Sequence, residues 1–169
     1  MKGGQPEVRK QTGRIVKKVW IKASTEVVYS ALTESRELIH WFCDRASFNP
    51  REGGEFTACW RTGRASQKGR AVITRIVPGS MLELLWIDEG GGEQEKSPNH
   101  TLRYEIRSKS GMTELVMTDK DESASEDEAI AILDQGWNSV LLELKDYCER
   151  RERSSKSRSK SEPRKKVPE

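Results

Sequence analysis

The chain has 169 residues, with 34% hydrophobic and 34% charged side chains and a formal net charge of +3. This length suits one compact domain rather than two. No apolar run approaches the roughly 18 residues of a membrane span, and the first residues lack the apolar core of a secretory signal, so we expect a cytoplasmic protein without a membrane-spanning helix.

The charge is concentrated near the end of the chain. Residues 150–169 contain nine Lys or Arg and three Asp or Glu, so this tail carries +6 and residues 1–149 carry −3. The three cysteines, Cys43, Cys59 and Cys148, are too few and too scattered for a disulfide framework. An odd number of cysteines indicates a reducing compartment.

The first segment with a clear period is RIVKKVWIKA, residues 14–23. Its apolar residues alternate with lysines, and Ile15, Val19 and Ile21 share one face, which predicts a strand. Ser24 follows directly and is predicted to cap the N-terminus of a short helix. A second short helix is predicted from Ser35 to about Phe42.

Five later segments predict further strands of an antiparallel sheet. Four of them alternate apolar and polar residues, which fixes the side that faces the core. In the fifth, GRAVITRIV, the inward face is ambiguous. A tight turn at Ser110-Gly111 should join the last two strands. The segments are GEFTACW (54–60), GRAVITRIV (69–77), MLELLWI (81–87), TLRYEIR (101–107) and MTELVMT (112–118).

The last element has the period of a helix. From Glu126 onward, apolar residues recur at steps of three and four, and Ser125 with Glu128 forms a capping box at the start. Gly136 interrupts this pattern and marks either a close approach of the sheet or a widened space beside Trp137. The stripe consists of Ile130, Leu133, Trp137, Val140, Leu141, Leu144 and Tyr147.

This order of elements predicts an α+β domain over residues 14–151. A curved antiparallel sheet of about six to seven strands should wrap around the long C-terminal helix, with two short helices after the first strand. Residues 1–13 are predicted to be a disordered lead-in and residues 152–169 a disordered basic tail. The tail either solubilises the protein or attracts nucleic acid or anionic membranes weakly; it lacks the aromatic residues of a specific nucleic-acid site.

Four local motifs resemble one known family. They are VWIKASTEVVYSALTES (19–35), Trp41-Phe42 followed by REGGEF (51–56), the run from Gly69 to Pro78, and GWNSVLLELKDY (136–147). In this order and spacing the chain resembles the START-like (SRPBCC) superfamily of helix-grip proteins, in the branch of the heat-shock-protein-90 ATPase activator homologues.

The resemblance implies a hydrophobic cavity gripped between the sheet and the C-terminal helix. It also implies a non-catalytic binding module for a small apolar or aromatic ligand, such as a lipid or a polyketide-like molecule, without a cofactor. Two alternatives stay open: a chaperone-associated interaction protein of the stress response, and a cyclase or hydrolase that would use Tyr104 as its polar group.

The candidate ligand-binding residues are mostly aromatic. They either enclose a ligand or pack only against one another, and the sequence leaves both readings open. They are Trp41, Phe42, Phe56, Trp60, Trp86, Tyr104, Trp137 and Leu141.

His40 and Cys43 are weaker candidates for chemistry. They supply two ligands where a structural zinc ion needs about four, so we predict no metal site. His40 should face water and has no third group to orient it, so no catalytic Cys–His pair is predicted. The Gly-rich segment EGGGEQ does not open a helix, so it is expected to form a hairpin loop rather than a phosphate site.

Overall fold

The computed structural model describes residues 13–87, 100–121 and 127–161. Seven strands and three helices follow one another in these ranges. They are β1 (Gly13–Ile21), α1 (Thr25–Thr33), α2 (Ser35–Leu38), β2 (Arg45–Phe48), β3 (Glu55–Thr62), β4 (Ala65–Val77), β5 (Met81–Ile87), β6 (His100–Lys109), β7 (Met112–Asp121) and α3 (Asp127–Ser161).

The seven strands form one sheet in the order β1-β7-β6-β5-β4-β3-β2. Every neighbouring pair is antiparallel. This confirms the predicted α+β fold, with two short helices after the first strand and a long C-terminal helix. The sequence patterns did not single out β2, because four residues are too few to display a period of two.

The predicted inward face of β6 is confirmed. Leu102, Tyr104 and Ile106 are buried, whereas Arg103 and Glu105, which lie between them, are more exposed. The ambiguity of β4 also has a structural reason. Its register against β5 shifts between Ile73 and Arg75, and such an irregularity changes which residues face inward partway along a strand.

The two short helices differ in how well the sequence predicts them. Ser24 caps α1 as expected, since its Oγ accepts a hydrogen bond from the backbone N–H of Val27 at 3.2 Å. Helix α2 is shorter than predicted and ends at Leu38 rather than near Phe42. The backbone N–H groups of Phe42 and Cys43 both donate to the Leu38 carbonyl, so the chain tightens into a turn there.

The glycine pair before β3, Gly53 and Gly54, lies in a sharp turn. Gly53 has a φ of +76°, which glycine adopts without strain. A Cβ atom on Gly54 would collide with the backbone carbonyl oxygen of Asn49. Any larger residue at position 54 would therefore displace the entry into β3.

Helix α3 packs on the domain through one apolar stripe. Leu141, Leu144 and Cys148 are buried at steps of three and four residues, which agrees with the predicted period. The predicted capping box at Ser125 and Glu128 lies outside the described side chains. Gly136 is not a point of close approach to the described residues, because a Cβ atom there would meet none of their atoms within 4 Å.

The end of α3 corrects the prediction of a disordered tail from residue 152. The helix continues to Ser161, since Arg, Lys and Glu are good helix formers and Lys156 pairs with Glu152 one turn earlier at 3.7 Å. The side chains of residues 153–160 are exposed, so this part of the helix projects from the domain. Residues 1–12 and 162–169, which belong to the predicted lead-in and tail, lie outside the described residues.

Among the helices in the described ranges, none is long and apolar enough to cross a membrane.

Candidate ligand-binding site

An apolar pocket lies between the inner face of the sheet and the layer formed by α1, α2 and the turn after α2. Its described lining side chains are all aliphatic or aromatic. The free space in it is about 10 Å³, which is about the space of one water molecule. The lining residues are Leu32, Leu38, Trp41, Phe42, Phe56, Leu82, Leu84, Trp86, Leu102 and Tyr104.

Five of the eight predicted site residues meet in this pocket: Trp41, Phe42, Phe56, Trp86 and Tyr104. The five leucines that complete the lining were not predicted as site residues. Their signal was present in the sequence, because Leu82, Leu84 and Leu102 lie on the same strand faces as the predicted aromatic residues.

The remaining three predicted residues lie elsewhere. Trp60 is next to the pocket and touches Phe42, with 5.3 Å between the ring centroids. Leu141 packs in the core and borders a separate groove beside β1. Trp137 donates its indole N–H to Asp119. No described side chain of α3 lines the pocket, so its cover comes from the short helices rather than from the C-terminal helix that was expected.

Trp41 and Phe42 form the cover of the pocket. Hydrogen bonds hold the ring of Trp41 and the backbone of Phe42. The indole N–H of Trp41 donates to the carbonyl of Ala31 at 2.9 Å within the core. The indole N–H of Trp60 donates to the carbonyl of Phe42 at 2.6 Å. The Trp41 ring and the Phe42 backbone are therefore fixed, whereas the Phe42 side chain is held by packing alone.

The Phe42 ring lies within a cluster of aromatic side chains. Its centroid is 5.3 Å from that of Trp41, 6.1 Å from that of Phe56 and 5.3 Å from that of Trp60. These distances are typical of favourable aromatic pairs. Phe42 is only partly buried, so it separates the pocket from solvent.

Two side chains of helix α3 contact the segment that covers the pocket. Glu37, at the start of the covering segment, is buried and accepts a short hydrogen bond from the Tyr147 hydroxyl. Arg151 also reaches Glu37, with 3.1 Å between Nη1 and Oε2. Burial raises the pKa of Tyr147, and the neighbouring Glu37 carboxylate raises it further. Tyr147 therefore stays protonated and remains a donor to Glu37.

Gly69 makes room for two tryptophans beside the pocket. A Cβ atom at this position would lie 2.9 Å from the ring of Trp86 and 3.1 Å from the ring of Trp60. Because Gly69 has no side chain, both indole rings can lie against strand β4 at this position. The glycine therefore sets the position of Trp86 in the pocket wall.

A polar cluster that the sequence analysis missed lies beyond Trp86. His100 Nδ1 is 2.9 Å from Asp119 Oδ1, and the indole N–H of Trp137 donates to Asp119 Oδ2 at 2.7 Å. The ring of His100 stacks on that of Trp86, with 6.4 Å between centroids. Asp119 is buried, and these two contacts compensate for its burial. The sequence signal that could have revealed this cluster is the position of Asp119 on the inward face of β7.

Among the lining residues that the structure describes, Tyr104 alone carries a hydroxyl group. Burial raises its pKa above the ordinary value, and the charge of Asp119 raises it further. At neutral pH its hydroxyl is therefore a neutral hydrogen-bonding group and not a base.

His40 and Cys43 take part in packing. His40 stacks on Tyr147, with 6.0 Å between ring centroids. Cys43 is buried, and burial raises its pKa to about 11, with a further contribution from Asp44. Its thiol therefore stays protonated near neutral pH, where a nucleophile would need to be a thiolate.

A curved antiparallel sheet with a long C-terminal helix and an apolar pocket beside it defines a helix-grip protein. The sequence matches the family model described as Activator of Hsp90 ATPase homolog 1-like protein over residues 22–149. The chain belongs to this family, in agreement with the resemblance seen in its motifs. No curated protein sequence matches it significantly.

Solved structures share the fold at low sequence identity. Protein MLL2253 from Mesorhizobium loti is 16% identical with a TM-score of 0.69, and the match covers 81% of this chain and 97% of that protein. The Aha1 dimer from Colwellia psychrerythraea is 22% identical with a TM-score of 0.64, over 80% and 96% of the two chains. DynU16, of the dynemicin biosynthetic locus, is 20% identical with a TM-score of 0.68, over 81% of this chain and 47% of DynU16.

Proposed function

We propose that this protein is a non-catalytic binding module that accepts a small apolar or aromatic molecule in the pocket beneath Trp41 and Phe42. The observation that carries this proposal is the lining of the pocket, in which all ten described side chains are aliphatic or aromatic. Apolar pockets with few polar groups are typical of small-molecule sites. A lipid chain or a polyketide-like ring system has the matching chemistry.

The ligand enters by displacing the Phe42 side chain. The free space of about 10 Å³ is too small for any such ligand, so binding requires the pocket to open. Phe42 is the part of the cover that can move at least cost, because its ring makes no hydrogen bond and is partly exposed, whereas the Trp41 indole is hydrogen-bonded in the core. Rotation of the Phe42 ring leaves the backbone bonds of the cover intact.

Native mass spectrometry and tryptophan fluorescence test this proposal. The gently purified protein is first weighed for a co-purifying ligand and then titrated with fatty acids, sterols and planar aromatic compounds. We expect saturable quenching, since Trp41 and Trp86 line the pocket. Phe42→Ala should bind the same compounds more tightly, because the ligand no longer has to displace a ring. Val77→Ala, at an exposed site on β4, is the matched control and should bind like the wild type.

If neither the wild type nor Phe42→Ala binds any compound of the panel, the pocket is ordinary core and the proposal is wrong. The proposal is equally contradicted if Phe42→Ala and Val77→Ala change the affinity by the same factor.

Assistance to a chaperone is a second candidate, favoured by the family match over residues 22–149. It is tested by the ATPase rate of a purified heat-shock-protein-90 chaperone with and without this protein. Stimulation of the rate supports this candidate, and an unchanged rate with no detectable complex removes it.

A further inference from the structure

Strand β1 lies at one edge of the sheet, and α3 covers only part of that edge. Lys145 Nζ donates to the carbonyl of Trp20 at 3.0 Å, and the backbone N–H of Lys22 donates to Glu149 Oε1 at 3.0 Å. Both backbone groups belong to even-numbered residues. Because backbone groups alternate along a strand, the even-numbered residues of β1 direct their N–H and C=O groups away from β7.

The same alternation exposes backbone groups in the first half of β1. The outward N–H and C=O groups of Arg14, Val16 and Lys18 have no hydrogen-bond partner among the described residues. Unpaired edges of this kind can take up a further strand. Near the end of β1, Lys145 and Glu149 of α3 already bind the outward backbone groups, so a further strand cannot pair there.

A groove of about 350 Å³ runs between this open part of β1 and α3. It is lined by Lys17, Lys18, Val19, Asn138, Leu141 and Leu142. Leu142 is 58% exposed, and Val16, which faces the other side of the sheet, is 52% exposed. An added strand would place alternate side chains beside Val16 and beside Leu142, so both exposed apolar residues would be covered.

The positive charges of Arg14 and Lys18 at this edge of the sheet favour an acidic binding partner. Lys18 is 55% exposed and has only a loose ion pair with Glu114 at 3.6 Å, and Arg14 has no ion-pair partner among the described residues. Lys17 is neutralised by Asp134 at 2.6 Å. A second copy of β1 paired antiparallel around Val16 would set Arg14 opposite Lys18 of that copy, and like charges in such pairs are destabilising.

We propose that the first half of β1, from Arg14 to Lys18, together with the groove beside Leu142, is a docking site for an extended acidic segment of a partner protein. The segment adds an eighth strand to the sheet through the backbone groups of Val16 and Lys18, and its acidic side chains face Arg14 and Lys18. This mode of recognition takes affinity from main-chain hydrogen bonds and specificity from alternate side chains. It does not involve the apolar pocket.

Two synthetic peptides and a proline variant test the site. The probes are a fluorescein-labelled heptapeptide of alternating Glu and Val and a matched one of alternating Lys and Val, measured by fluorescence anisotropy. We expect the Glu–Val peptide to bind and the Lys–Val peptide not to bind. Val16→Pro removes an outward N–H, which an edge strand tolerates, and should weaken binding about tenfold. Val16→Thr keeps the N–H and the branched shape, so it is the control and should bind like the wild type.

Equal binding of the Glu–Val peptide to Val16→Pro and to the wild type would overturn the proposal. Equal binding of both peptides to the wild type would do so as well, as would a wild-type dimer in sedimentation that Val16→Pro dissociates. If circular dichroism shows that Val16→Pro does not fold, hydrogen exchange of the wild type decides. The Glu–Val peptide must then protect the amides of Val16 and Lys18, and unchanged exchange refutes the site.

Discussion

The hydroxyl group of Tyr147 donates a hydrogen bond to the carboxylate of Glu37, and this contact joins the C-terminal helix to the segment that covers the pocket. Arg151 reaches the same carboxylate from the next turn of α3. One buried acid thus connects the cover with the long C-terminal helix.

Tyr147→Phe should lower the free energy of unfolding by about 1 kcal/mol, the order expected for one lost hydrogen bond. Glu37 keeps Arg151 as a partner, so its charge is not left alone. Urea denaturation followed by circular dichroism measures the change. Tyr29→Phe is the control, because the Tyr29 hydroxyl has no hydrogen-bond partner among the described residues. Equal losses in the two variants would mean that the contact with Glu37 adds nothing to stability.

Gly69→Ala should change the tryptophan fluorescence of the folded protein. The added methyl group comes within 2.9 Å of the Trp86 ring and 3.1 Å of the Trp60 ring, so at least one indole must shift. The expected result is an altered emission maximum in a protein whose far-ultraviolet circular dichroism is unchanged. Emission identical to that of the wild type would show that the two indoles do not lie against β4 as described.

Gly136→Ala should stabilise the protein by up to about 1 kcal/mol, because alanine is the better helix former. A Cβ atom at this position meets nothing within 4 Å in the part of the chain that the structure describes, so no clash with those residues opposes the gain. Thermal unfolding gives the measurement. A lower melting temperature would indicate that the space next to residue 136 is filled.

Alkaline pH should destabilise the protein through its buried thiols. Burial raises the pKa of Cys43 to about 11 and that of Cys148 to about 12, from an ordinary value of 9.0. Between these values the native state keeps a proton that the unfolded chain releases. The contribution of the thiols is therefore constant below about pH 9 and declines as the pH rises toward 11.

The thiol contribution is separated from other titrating groups by comparison with Cys148→Ala. The wild type should lose more stability than this variant between pH 8.5 and about 10.5 in urea denaturation. Parallel losses would show that Cys148 does not contribute. Under native conditions at pH 8, Cys43 and Cys148 should also resist alkylation until the protein unfolds, since both are buried and reaction requires the thiolate.

The strands that the sequence predicts best are those with one buried and one solvated face. In β6, a register shift by one residue would bury Arg103 and Arg107 in place of Leu102 and Ile106, so the pattern alone fixes the orientation. Strand β2 has no such pattern. Its short sequence is held by pairing with β3, which only the folded chain provides.

The location of the pocket could not be predicted for a different reason. Both α3 and the α1–α2 layer present apolar residues to the sheet, and the sequence does not say which layer leaves a gap. Trp137 illustrates this, because its spacing predicts an inward position but not the hydrogen bond to Asp119, 18 residues away. The length of α3 was underestimated because the sequence indicated charge and low apolar content, whereas Arg, Lys and Glu also favour a helix.

The contact between Glu37 and Tyr147 spans 110 residues of the chain. Bringing together two residues so far apart costs more loop-closure entropy than a local contact does. During synthesis, the residues of β3 to β7 are made before those of α3. Until the C-terminal helix docks, the Glu37 carboxylate therefore lacks both the Tyr147 hydroxyl and the Arg151 guanidinium as partners.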